Sequence, residues 1–243
     1  TSPSGATTRY DYDELGQLLS KAYASSSEDT ATYTYDADGQ VASRTDACGT
    51  AVYAYDGAGR LVSETDGFGQ TLAYAYDDTG SLSSITYPDG SQVSYAYDDA
   101  GRISSVTSGD GVYAYAYDDA GHPALLTRPD GVRTRTSYDE VGNAVMVEHV
   151  SADGNALSRF TYTYDAEGRI ASEDSVVTGE DGESHVSHRT FSYTVAGKLA
   201  TVSAEEDGAS YAERYEYDGV GNRTRLVREG ASSDVISYAY DAD

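Results

Sequence analysis

The residues of this chain that could do chemistry are mostly its acids. Forty-one Asp and Glu stand against sixteen Lys and Arg, a net charge of −25 over 243 residues. Two carboxylates in unlike surroundings can act as acid and base on a glycosidic bond. Here, however, the aspartates recur at one fixed place, the head of Asp-x-x-Gly: Asp56 to Gly59, Asp77 to Gly80, Asp98 to Gly101, Asp165 to Gly168, Asp218 to Gly221. Functional groups break a pattern, and these keep one, so they read as turn makers and no catalytic residue is assigned. Calcium is the cation such turns would suit, at "YDADGQ" (Asp36, Asp38) and "SADGN" (Asp153). Neither an EF-hand loop, with its Glu six residues after the Gly, nor a calcium-binding nonapeptide occurs, so no metal or cofactor is assigned.

Other candidates are weaker. His185 and His188 lie three apart in "SHVSH", near Glu183 in a polar insertion. Two such ligands do not complete a zinc site, and with His122 and His149 they read as exposed loop residues. Cys48 is the single cysteine, which excludes a disulfide framework and a cysteine-based metal site. No Gly-x-Ser-x-Gly elbow is present. The acidic balance repels nucleic acid and anionic lipid, and no apolar run is long enough to cross a bilayer as a helix.

What positions the aspartates is a repeat. Tyr-x-Tyr pairs begin at 10, 33, 53, 74, 95, 115, 136, 162, 191, 215 and 238, at spacings of 23, 20, 21, 21, 20, 21, 26, 29, 24 and 23. They take in Tyr53 and Tyr55, Tyr74 and Tyr76, Tyr95 and Tyr97, Tyr162 and Tyr164, Tyr215 and Tyr217. Thr136 and Phe191 replace the first tyrosine in two copies, and Thr194 replaces one Asp. With 24 Tyr, 3 Phe and no Trp, tyrosine must supply much of the buried surface. Each ring brings a hydroxyl that needs a partner, which favours a thin wall with a wetted face.

Within a unit the pattern is a β-hairpin. Leu72, Tyr74 and Tyr76 alternate with Thr71, Ala73 and Ala75, the period of a strand. The return segment "RLVSET", read by the same alternation, puts Leu61, Ser63 and Thr65 on one face. Asp opens a type I turn and Gly takes the positive φ that rejoins the return strand through a bulge. Signals such as "DGFG" and "PDG" close each unit. Hairpins of about 21 residues predict an all-β fold: tandem antiparallel hairpins in one continuous, spiralling sheet, with equivalent tyrosines stacked in ladders. The longer spacings, at "SADGNALSR" and "VVTGEDGESHVSHRT", read as longer hairpin tips or loops. Residues 1–243 are expected to form a single array of ten complete units and a truncated eleventh, cut from a longer protein.

The phrase Y-x-Y-D-x-x-G-[RKQN]-[LIV], as in Tyr95 to Ile103 and Tyr162 to Ile170, resembles the YD repeat of the Rhs family. That family includes bacterial Rhs polymorphic toxins, the cocoon subunits of Tc toxins, and teneurins. The resemblance runs from Tyr10 to Asp241; Pro123 and Arg223 depart from its apolar position. It implies an open or partial YD shell: a non-enzymatic wall of a secreted or cell-surface bacterial protein, enclosing or displaying cargo such as a C-terminal toxin domain. No toxin domain or self-cleaving core follows the repeats in these residues. The implied partners are the parent chain's own cargo or neighbouring domains, with another copy pairing through edge strands as a further candidate. The rival reading is an extracellular adhesion or carbohydrate-binding module, in which glycans are the partner and tyrosine rings stack on sugars.

Overall fold

The computed structural model describes residues 7–23, 26–179, 181–230 and 233–240. Among them the elements are 21 strands, with no helix. The chain divides into two compact units, residues 1–112 and 113–243. The first holds β1 (Thr8–Tyr12), β2 (Leu18–Tyr23), β3 (Ser26–Tyr35), β4 (Val41–Asp46), β5 (Gly49–Tyr55), β6 (Leu61–Thr65), β7 (Thr71–Tyr76), β8 (Leu82–Thr86), β9 (Gln92–Tyr97) and β10 (Ile103–Ser108). Into the second runs β11 (Gly111–Tyr117), followed by β12 (Pro123–Thr127), β13 (Arg133–Tyr138), β14 (Ala144–Val150), β15 (Ala156–Tyr164), β16 (Ile170–Thr178), β17 (Ser184–Tyr193), β18 (Leu199–Glu206), β19 (Ala209–Tyr217), β20 (Arg223–Glu229) and β21 (Asp234–Ser237). Within each unit a strand pairs antiparallel with its neighbours in the chain, so each is an open meander.

Each YD hairpin carries the same irregularity. Tyr55 stands opposite Leu61, but Ala54 stands opposite Ser63, so Val62 is an extra residue on the return strand. The same shift follows Tyr76, Tyr97, Tyr164 and Tyr217. It is a β-bulge, which bends the strand and raises its local twist. The bulge overturns the simple alternation read in "RLVSET". Paired residues share a face, so Leu61 and Glu64 lie with Tyr55 and Tyr53, whereas Ser63 lies with Ala54 on the other side.

The two faces differ in kind. On one stand the tyrosines, half-buried; on the other stand small residues, as in Ala73 opposite Thr86 and Ser84 opposite Ser94. Hydroxyl pairs cross the strands at Thr65–Thr71 and Thr45–Thr50, each 2.8 Å apart. Buried apolar side chains are few among the described residues: Ala31 in the first unit, and Val150, Val202, Ala204 and Leu226 in the second. The wider spacings lengthen strands more than loops. β16 and β17 run to 9 and 10 residues, one ending at Thr178 and the other starting at Ser184.

Candidate functional site

Each turn is fastened by its aspartate. At Asp56 the amide donates to Arg60 O and the Gly59 amide donates back to Asp56 O, both at 2.9 Å. Gly59 sits at φ +78°, a left-handed conformation that glycine adopts without strain. Asp56 Oδ1 accepts the Ala58 and Arg60 amides at 2.9 and 3.0 Å. Asp77, Asp98, Asp165 and Asp218 accept the equivalent amides of their own turns. These bonds favour the ionised form. The Arg60 amide and guanidinium hold the Asp56 carboxyl below its ordinary range, and the Arg102 side chain and amide do the same for Asp98. Where Thr194 replaces Asp, its hydroxyl still accepts the Lys198 amide at 3.2 Å.

Within each unit, the second tyrosine of a pair ties its hairpin to the one before. Tyr76 Oη donates to Leu61 O at 2.8 Å, Tyr55 to Val41 O at 3.0 Å, and Tyr97 to Leu82 O at 2.8 Å. In the second unit Tyr164, Tyr193 and Tyr217 donate to Ala144, Ile170 and Leu199 O at 2.7, 2.8 and 2.9 Å. The acceptor is always the first residue of the preceding return strand. Between β6 and β7 the paired register starts at Ser63 opposite Ala73, so Leu61 lies outside it. A phenol therefore satisfies a carbonyl that the bulge removes from the ladder. Because the acceptor is backbone, Pro123 and Arg223 serve as well, to Tyr138 at 2.9 Å and Tyr240 at 3.0 Å.

The rings are held by what ends the preceding turn. Arg60 donates through Nε to Asp56 Oδ2 at 2.8 Å while its guanidinium lies 4.5 Å from the Tyr76 ring centre. Arg169 repeats this with Asp165 (2.7 Å) and Tyr193 (4.6 Å). Lys198 lies over Tyr217 at 5.2 Å, and the His122 ring is 4.7 Å from that of Tyr138. Ring-on-ring ladders were the expectation, and the arrangement differs for a simple reason. Equivalent tyrosines sit two strands apart, roughly 10 Å, which is beyond ring-contact range. The intervening strand supplies a cation instead.

Burial acts on tyrosines at both positions, raising the phenols of Tyr55 and Tyr164 as well as those of first tyrosines. Burial pushes the Tyr74 and Tyr162 phenols up, and burial together with Glu213, 2.5 Å away, pushes Tyr215 up to about 12. Tyr53 faces Glu64 and Tyr95 faces Val106 across their hairpins. Sequence reasoning treated the two tyrosines as equals. The signal that separates them is that the first gives way to Thr136 and Phe191, whereas the second is Tyr in all eleven copies.

The remaining candidates do not gather. His185 and His188 lie in β17, not in a loop, and three residues apart on a strand they take opposite faces. His185 Nδ1 is 2.7 Å from Asp207 and His188 Nδ1 is 2.6 Å from Asp174. Asp36 Oδ1 accepts the amides of Asp38 and Gln40 within its own turn, and in the turn holding Asp153 it is Ser151 Oγ that accepts the Asn155 amide. Cys48 is exposed at the β4–β5 tip. Among the described residues no three His, Cys, Asp or Glu converge as metal ligands.

Against known proteins, the fold recurs in the TcdB2-TccC3-Cdc42 crystal structure, with a TM-score of 0.79 at 17% identity over 96% of this chain and 14% of that one. The Photorhabdus luminescens Tc holotoxin pore gives 0.78 at 17% identity, over 96% and 14%. TcdB2-TccC3 alone gives 0.77 at 17%, over 96% and 15%. The chain thus spans about a seventh of those structures. No curated protein sequence matches it. The profile of the Teneurin YD-shell family matches residues 7–241, which takes in each of the turns and phenol ties described above, and the chain belongs to that family.

Proposed function

We propose that this chain is a stretch of wall in a larger exported bacterial protein, and that it acts without chemistry of its own by enclosing or displaying other parts of that protein. The observation that carries this reading is the tie between hairpins. Within each unit second tyrosines such as Tyr76 and turn cations such as Arg60 are engaged by the neighbouring hairpin, so a copy forms an edge on which the next can dock. Aspartates are taken up by turn amides and phenols by carbonyls, which leaves the repeat groups as structure. The half-wetted tyrosine face offers area and hydrogen bonding with little of the adhesion of aliphatic surface. The likeness to segments of TcdB2-TccC3 chains supports a place inside a long chain. The test is protease protection in the full-length parent protein. A flanking cargo segment should be digested at least tenfold more slowly in the parent than when expressed alone; equal rates would refute enclosure.

A further inference from the structure

The row of residues facing the first tyrosine of each pair breaks its pattern at one end. Ile85, Val106, Leu126, Val147, Val202 and Leu226 hold that place in six hairpins. Glu64 and Glu173 hold it in two more. In the first two hairpins it is held by cations, Lys21 opposite Tyr10 and Arg44 opposite Tyr33. The chain has only two lysines against a net charge of −25, so a lysine and an arginine in consecutive hairpins on one face stand out. The next strand departs as well. Leu72 lies opposite Glu64 and Val93 opposite Ile85, but Ala31 lies opposite Lys21 and Ala51 opposite Arg44.

Ala31, where Leu72 and Val93 stand in the next copies but one and two, lines a hollow. It measures about 270 Å³ and is lined by Lys21, Tyr23, Ala31, Tyr33, Arg44 and Asp46, beside Cys48. Ala31, only 8% exposed, forms part of its buried lining. Lys21 Nζ lies 4.8 Å from the Tyr23 ring centre, and Arg44 lies 2.5 Å from Asp46. The volume is just below the roughly 300–1,000 Å³ of small-molecule sites, enough for one ring-sized group. A bare anion would use the cations and leave the two rings idle; a neutral sugar would do the reverse.

We propose that this hollow binds an anionic pyranose, such as one uronic acid residue of an acidic polysaccharide. Lys21 and Arg44 take the carboxylate, Tyr23 and Tyr33 flank the apolar faces of the sugar, and Asp46 accepts from a hydroxyl. This site is additional to the wall reading and does not depend on it.

The test is calorimetric titration of the purified chain with oligogalacturonate, neutral galacto-oligosaccharide, acetate and a short polyglutamate peptide. Oligogalacturonate should bind, and each of the others should bind at least about tenfold more weakly. Lys21→Gln and Arg44→Gln should each weaken oligogalacturonate binding about tenfold or more, as expected for loss of a charge-assisted contact. Circular dichroism of each variant confirms the β-signature; should Arg44→Gln lose its fold with its tie to Asp46, Lys21→Gln decides. No heat with oligogalacturonate, an equal affinity for the neutral sugar, acetate or peptide, or a folded Lys21→Gln that binds unchanged would each overturn the proposal.

Discussion

Tyr76 and Tyr74 sit two residues apart on the same face of the same strand, yet only one is bound to its identity. The Tyr76 hydroxyl satisfies Leu61 O, a carbonyl outside the ladder. Tyr76→Phe should therefore destabilise the protein by about 1 kcal/mol in urea unfolding. Tyr74→Phe, at a place that Phe191 fills in another copy, should stay within about 0.5 kcal/mol. Equal effects would remove the distinction between the two positions. At Asp77 the bond from the Thr79 hydroxyl, followed by the Ser81 and Thr79 amides, holds the carboxyl below its ordinary range. The folded value lies below the unfolded one of about 3.9, so its stabilisation is complete above that pH and is lost as pH falls through the folded value. Asp77→Asn keeps an acceptor but does not titrate. Thermal melts should show the parent more stable than Asp77→Asn at pH 6, with the difference held down to about pH 4 and shrinking below it; a constant difference down to about pH 2 would show that this carboxyl is not linked to folding.

At the scale of the hairpin, turn chemistry and strand register have different origins. Gly101 lies at φ +76° with open space where a Cβ would point, so Gly101→Ala tests conformation alone. It should cost about 1–2 kcal/mol, read from the urea midpoint. Turns such as this were legible in the sequence because Asp and Gly are chosen by local backbone geometry. A bulge after the turn was legible from the glycine, but its place was not, since the extra residue is Val62, Ser83, Ser104 or Ala171 in different copies and no side-chain preference marks it. Ring ladders failed as an expectation because the repeat spacing gives distance along the chain, while contact depends on the strand between. His185 and His188 were read as loop residues from polarity, yet their neighbours continue the ladder of β16, with Asp174 opposite His188 and Val177 opposite His185. The hollow near Ala31 draws on three strands. Its only sequence trace is the mismatch of Lys21, Ala31 and Arg44 with the same places in later copies.

For the molecule as a whole, contacts between chain neighbours dominate each unit, so its stability should add up copy by copy. Removing residues 74–94, one full period of 21, joins Ala73 to Tyr95 and leaves every remaining turn intact. The shortened chain should keep its β circular dichroism and unfold cooperatively, with a urea m-value lower by about a tenth. A collapse of the β-signal would mean that some distant contact carries the fold. The clasp between hairpins joins a phenol on one copy to a main-chain oxygen on the copy before, and a main-chain oxygen is the same whatever residue bears it. A copy gained, lost or shuffled by slippage of the gene would find a fitting predecessor at once. Length in such a lineage can drift from generation to generation without a new contact having to be invented.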